Sequence, residues 1–246
     1  MSTKLFTPLL GKRLRLTQLD ACGRVPVAGA SQAFITTSGF ISVELSAEVE
    51  DGVEIIQKRA DGALCVNEKF ANSFKRFNVN LTFCGVIPTA LSITTNAEGY
   101  EDYAGDVAGI TVPEGPIDKE FALELWTGLS GRACEDEDEE ASGYLVLPRI
   151  QAGTMADLTA DGENAITFGM SGGFTKGGNT WGSGTWEVVM DDGTPAVLPT
   201  PLDALDHLLL MDTGLAPPPA SEDWQAMPES GQGMGASSRA EWVSEA

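Results

Sequence analysis

"FISVELSAEVEDGVEI", residues 40–55, decides the fold class. Ile41, Val43, Leu45, Ala47 and Val49 alternate with Ser42, Glu44, Ser46, Glu48 and Glu50. A repeat of two sends alternate side chains to opposite faces of an extended strand. One face is then apolar, and the other carries Glu44, Glu48 and Glu50 in a row. Asp51-Gly52 follows, a pair suited to the positive φ angles of tight hairpin turns. Asp61-Gly62, Asp161-Gly162 and Asp192-Gly193 repeat that signal beside alternating or β-branched runs.

Working outward, "EIIQKRADGALCV" (54–66) and "GTMADLTADGENAITFGM" (153–170) read as hairpins. "FNVNLTFCGV" (77–86), "FALELWTGL" (121–129), "GYLVLPRI" (143–150) and "TWEVVM" (185–190) read as further strands. Many short strands with regular turns predict a mainly β chain, a sandwich or barrel with long loops. Helix signals are few. "NEKFANSFKRF" (67–77) spaces Phe70, Phe74 and Phe77 at i, i+4 and i+7 behind Asn67 as a cap. "PTALSITT" (88–95) predicts a short helix opening on Pro88. "TPLDALDHLLLM" (200–211) has a helical pattern, with Thr200 as cap and Pro201 first.

The chain has 246 residues, enough for one large β-domain. No apolar run approaches the ~20 residues of a membrane-spanning helix. The N-terminal stretch lacks the long apolar region of a signal peptide, which reads as folding in a cytoplasm. Cys22, Cys65, Cys84 and Cys134 are widely spaced and form no Cys-x-x-Cys pair. With His207 as the single histidine, free packed thiols are expected rather than zinc.

Charge is the loudest global signal. Fifteen Lys and Arg stand against 36 Asp and Glu, a net −21. Residues 1–80 hold 10 basic and 8 acidic side chains (+2), which leaves 5 and 28 (−23) for residues 81–246. Solubility is one reading. Head-to-tail self-assembly, a basic part of one copy against an acidic part of the next, is the other. Duplex binding is disfavoured, because that affinity comes from Lys and Arg neutralising phosphates.

No constellation of catalysis stands out. The acidic run Glu135–Glu140 lacks the glycine of a calcium loop. The Gly-rich stretch Gly169–Gly184 lacks the Gly-Lys-Ser/Thr ending of a phosphate cradle. "GMSGG" (169–173) is not a Gly-x-Ser-x-Gly elbow. The expectation is no enzyme, no metal and no cofactor. The segment from "APPPASEDW" to "EWVSEA" is Pro, Ser, Gly and acid, and composition makes it a tail.

Several blocks, in order, resemble the major tail tube proteins of long-tailed (siphovirus-type) phages that infect actinobacteria. They are "RLTQLDACG" (15–23), "GFISV" (39–43) leading into "EVEDGVEI" (48–55), and "KRFNVNLTFCGVIPTAL" (75–91). "FALELWTGLSGRAC", "GYLVLPRIQAGTMADLT" and "ITFGMSGGFTKGGNTWGSGTWEV" complete the match, which spans about residues 11–219.

The resemblance implies a tail-tube β-sandwich or barrel with one flanking short helix. It implies a structural virion protein that forms six-membered rings, stacked into the conduit for genome ejection. Implied partners are other copies of the chain, the tape measure, tail terminator and baseplate or tip proteins. Double-stranded DNA would pass through the lumen without specific binding, and no membrane is involved. Three regions follow: an arm over 1–20, the β-domain over 21–215 and an acidic extension over 216–246. The segment around 205–215 becomes a terminal strand instead of a helix.

On that reading Glu44, Glu48 and Glu50 are candidates to face the lumen, where carboxylates repel DNA. Lys12, Arg13 and Arg15 are candidates for a basic arm against a neighbouring copy. Tyr100, Glu101, Asp102, Tyr103 and Trp181 are candidates for ring-stacking loops. The alternative reading is a carbohydrate-binding β-sandwich on a virion, with Trp181 and Trp186 stacking on sugars. A third, a hydrolase, needs a carboxylate pair in a cleft.

Overall fold

The structure, a computed structural model, describes residues 7–129, 142–158, 165–178, 181–182 and 187–228. Six strands come first: β1 (Pro8–Gln18), β2 (Phe34–Thr37), β3 (Phe40–Glu50), β4 (Glu54–Lys58), β5 (Leu64–Lys69) and β6 (Ser73–Phe83). Helix α1 (Pro88–Thr94) follows. Then come β7 (Glu98–Glu101), β8 (Val107–Thr111), β9 (Glu120–Leu129), β10 (Ser142–Gln151), β11 (Thr154–Met155) and β12 (Phe168–Thr175). The last are β13 (Val189–Asp191), β14 (Thr194–Ala196), β15 (Leu209–Thr213) and β16 (Ser221–Gln225).

Ten strands make one antiparallel sheet in the order β16-β2-β1-β9-β10-β12-β6-β3, with β11 beside β12 and β15 beside β10. Strand β10 is the branch point. One edge pairs with β9. The other pairs with β15 over residues 142–146 and with β12 at Ile150 and Gln151. Three two-stranded ribbons, β4–β5, β7–β8 and β13–β14, stand apart from this sheet. The chain is therefore mainly β with one short helix, and a sandwich is compatible with that arrangement.

The middle of the sheet is buried on both faces. Alternation in β1 and β9, with a register shift in β10 between Leu147 and Ile150, sends Leu14, Leu16, Leu123, Leu147 and Ile150 to one side, where they meet Val79, Leu81 and Phe83 of β6. Helix α1 closes this side with Ala90, Leu91 and Ile93. Pro88 opens the helix, and the Thr94 and Thr95 hydroxyls donate back to the Ala90 and Leu91 carbonyls. The other side holds Phe34, Ala122, Trp126, Tyr144 and Val146, covered by Trp181, Leu198 and Met227.

Several expectations are borne out at residue level. The Asp61-Gly62 hairpin joins β4 to β5. Asp192 (φ 46°) and Gly193 (φ 80°) turn β13 into β14. In the 153–170 hairpin, Thr154 pairs with Ser171 and Met155 with Met170, while its Asp161-Gly162 turn lies outside the described residues. The helix over 88–95 forms, and β15 supplies the strand expected around 205–215, though β16 rather than β15 is the last strand.

Other expectations are corrected. The helix over 67–77 is two strands, β5 and β6. Its spacing of three is real but serves a β-bulge. Phe77 pairs with Ala47 and Phe74 with Val49, so Lys75 is the extra residue that returns both rings to one face, 4.9 Å apart. The helical pattern over 200–211 makes no helix, because residues 209–213 bond to β10. Of the described residues 187–190, Val189 and Met190 belong to a strand, and 185–186 lie outside the described residues. Residues 8–18 are no arm, since β1 lies between β2 and β9. The chain past 215 also returns to the fold, with β16 on β2 and Met227 buried. Cys22, Cys65 and Cys84 are exposed rather than packed. Cys134 lies outside the described residues.

Candidate assembly surface

The 40–55 stretch opens a long, largely exposed hairpin. Strand β3 pairs with β6 from Phe40↔Phe83 to Glu50↔Ser73. Beyond that, Gly52 N donates to Asn72 Oδ1 and Phe70 N to the Val53 carbonyl, which carries the ladder on into β4–β5. Gly52 is required there: a Cβ would sit 1.9 Å from the Phe70 carbonyl oxygen. The result is one long hairpin over residues 40–83, closed at Arg59–Ala63. Every residue of β4 is exposed, and in β5 only Val66 is partly covered. Val49, Val53, Ile55, Ile56, Leu64, Phe70 and Phe74 all stand exposed along it.

The three candidate lumen acids differ from one another. Glu44 and Glu50 are exposed. Glu48 is partly buried and bonds to Arg76 at 2.6 Å and Lys75 at 3.0 Å. The hydrogen bond from Arg76, then that from Lys75, holds its carboxyl below the ordinary carboxylate range. Arg76 also stacks on the Phe174 ring at 4.4 Å. The row therefore presents two open carboxylates and one that is neutralised.

The basic trio divides too. Arg15 cannot meet a neighbouring copy: it is 1% exposed and gives two hydrogen bonds, each 2.5 Å, to Glu124 of its own chain. Period two in β1 turned it inward, opposite Glu124 on β9. Tyr144 donates to Glu124 Oε1 at 2.6 Å, and the Trp126 ring lies 5.0 Å from the Arg15 guanidinium carbon. Burial first, then the Glu124 charge, pushes the Tyr144 phenol well above its usual value, so it remains a donor. Arg13 and Lys12 are at the surface, with Arg13 Nη1 donating to the Lys12 carbonyl. They line a shallow groove with Ala216–Pro219.

Sequence reasoning missed this buried pair and a second one. Glu120, 5% exposed, holds Arg149 at 2.7 Å and Lys176 at 2.5 Å. Burial raises its pKa, but the bonds from Arg149 and Lys176 outweigh that and leave it lowered. A usable signal existed: Arg15 and Glu124 are single charges inside otherwise apolar or neutral strand stretches, "LRLTQ" and "FALELW".

Tyr100, Glu101, Asp102 and Tyr103 lie on the β7–β8 hairpin and are all exposed. Asp102 Oδ1 accepts from Ala104 N and Asp106 N, fixing the turn. Trp181 does not join them. It is 1% exposed in the second core, so it neither stacks rings nor offers a face to a sugar. Trp186 and the acidic run Glu135–Glu140 lie outside the described residues.

His207 Nδ1 is 2.6 Å from Thr175 Oγ1, and its ring meets Phe74 edge-on at 5.2 Å. Burial lowers its pKa, against the pull of Asp206. Thr175 Oγ1 already accepts from Phe77 N, so this contact ties the 203–207 loop to the base of the hairpin. Among the described residues no group of His, Cys, Asp and Glu could hold a metal ion. Among them, too, no helix is long and apolar enough to cross a membrane.

No protein-family model matches the chain, and no curated protein matches it.

Proposed function

We infer that this chain is a self-assembling structural subunit of the tail-tube kind, a virion protein whose rings stack into a conduit for DNA. One observation carries the reading. The hairpin over 40–83 projects apolar side chains that its own fold leaves uncovered, among them Ile55, Ile56, Leu64 and Phe70. Monomeric proteins rarely leave such surface open, and contiguous exposed apolar surface marks interaction sites.

Two further features agree with it. Among the described residues, strand β3, eleven residues long, has a neighbour on one edge only. An open edge of that length invites pairing with another chain. The net charge of −21 suits a wall that DNA slides past. Within this reading Glu44 and Glu50 are the acids that face the bore. Glu48 instead anchors β6 through Lys75 and Arg76. Arg13 and Lys12 remain the basic contact to a neighbour. The subunit works without catalysis or cofactor, and its partners are its own copies and the other proteins of the tail.

Negative-stain electron microscopy of the purified protein, concentrated at moderate salt, tests the reading. Rings or hollow tubes wide enough for duplex DNA are expected. Compact monomers at every concentration and salt, including with preformed tail tips as initiators, would overturn it.

A further inference from the structure

A second uncovered apolar surface lies away from the long hairpin. Between β13–β14 and β15 runs a groove of about 450 Å³, lined by Val189, Met190, Val197, Leu198, Leu209 and Met211 among others. Its size and apolar lining are those of a ligand site. Met190 and Val197 stand 42% and 39% exposed at its rim. Its floor adjoins the second core, since Leu198 is part of that core and Val189, Leu209 and Met211 pack against it. Among the described residues, Asp191 is the one charged residue in the lining.

The chain carries a segment that fits. Met227 is buried in the same second core and bonded through its backbone to Gly29 and Ala30. The next residues, 229–246, begin "ESGQGMG" and end "SSRAEWVSEA". Trp242 is the only aromatic among them and Arg239 the only base. From Pro228 to Trp242 the chain reaches up to about 48 Å, against a radius of gyration near ~17 Å for a domain of this size. Tethering at that length gives an effective concentration on the order of millimolar. Trp is also the side chain that gains most from an apolar pocket, and its N–H can stay at the polar rim.

We propose that the C-terminal segment docks on its own subunit, with Trp242 and Val243 in the β13–β15 groove and Arg239 beside Asp191. This stands apart from the assembly reading and does not rest on it.

Amide exchange read by mass spectrometry on the dilute full chain tests it. In Trp242→Ala, amides of 189–191 and 209–211 exchange about tenfold faster than in the unaltered chain, while the β1–β9 amides keep their rate. Arg239→Glu moves the same amides by a smaller factor. A synthetic peptide of residues 236–246, added to Trp242→Ala, slows them again, and the same peptide with Ala at 242 does not. Equal exchange in both chains with no peptide effect overturns the proposal. So does protection that grows with protein concentration, because the segment would then sit on a neighbouring copy.

Discussion

Strand pairs β1–β9 and β4–β5 share one antiparallel geometry and differ in what covers them. Where residues 14–17 of β1 meet β9, both faces are sealed, one by α1 and β6, the other by Trp181 and Met227. An arginine and a glutamate can live there only because each satisfies the other. In β4–β5 neither face is sealed, and isoleucine and leucine stand in water. The first pair is stabilised by its own chain. The second is short of partners, and a two-stranded ribbon alone is marginal in water. The contrast separates a region sealed by its own chain from one left exposed, which the proposed assembly would cover.

The sharpest break in that contrast is Glu124→Ala. It leaves Arg15 charged and buried with no carboxylate, a loss of about 3–5 kcal/mol. Urea unfolding reads it, and a change under 1 kcal/mol would mean that the pair is not sealed. Next comes Gly169→Ala on β12. Its Cβ would lie 2.0 Å from the Leu81 carbonyl oxygen. Strand β12 must move off β6, at about 1–3 kcal/mol, again seen in urea unfolding.

Glu120 sharpens the comparison through pH. Its folded pKa lies below the ordinary 4.5. Its contribution is therefore complete above about pH 4.5 and is lost as pH falls through the lower folded value. His207 acts in the same direction, starting below 6.5, because its folded pKa is also lowered. Comparing Glu120→Gln with the unaltered chain isolates the carboxylate. Below pH 4.5 the variant's urea midpoint should fall less steeply, and parallel curves would remove Glu120 from the account.

The smallest effect on stability belongs to the ribbon. Ile55→Asp with Ile56→Asp should change unfolding by no more than about 0.5 kcal/mol. Rings and tubes, scored by electron microscopy, should vanish. A stable variant that still assembles would take the contact role away from β4–β5.

Much of the fold was legible because period-two alternation is a local property. The 40–55 stretch announced β3, and the Asp-Gly turns at 61–62 and 192–193 fell where the chain reverses. The candidate site was legible only in part. Glu44, Glu50, Tyr100 and Tyr103 are at the surface, where their proposed contacts need them. Trp181 and Arg15 are not, since alternation names two faces without saying that both are covered. Phe70, Phe74 and Phe77 misled for a related reason. A spacing of three or four fits a helix, and it also fits a strand that gains one residue at Lys75.

The sequence by itself determined β3, the Asp-Gly turns at 61–62 and 192–193 and the charge, because alternation and turn chemistry depend on neighbours a few residues apart and charge on composition alone. The tertiary structure alone decided which faces are sealed. Burial of Arg15 requires Glu124 from more than a hundred residues away, and Ile55 and Ile56 stand exposed because none of the described segments returns to cover them. Those are facts about distant parts of the chain meeting or failing to meet, and local patterning carries no information about them.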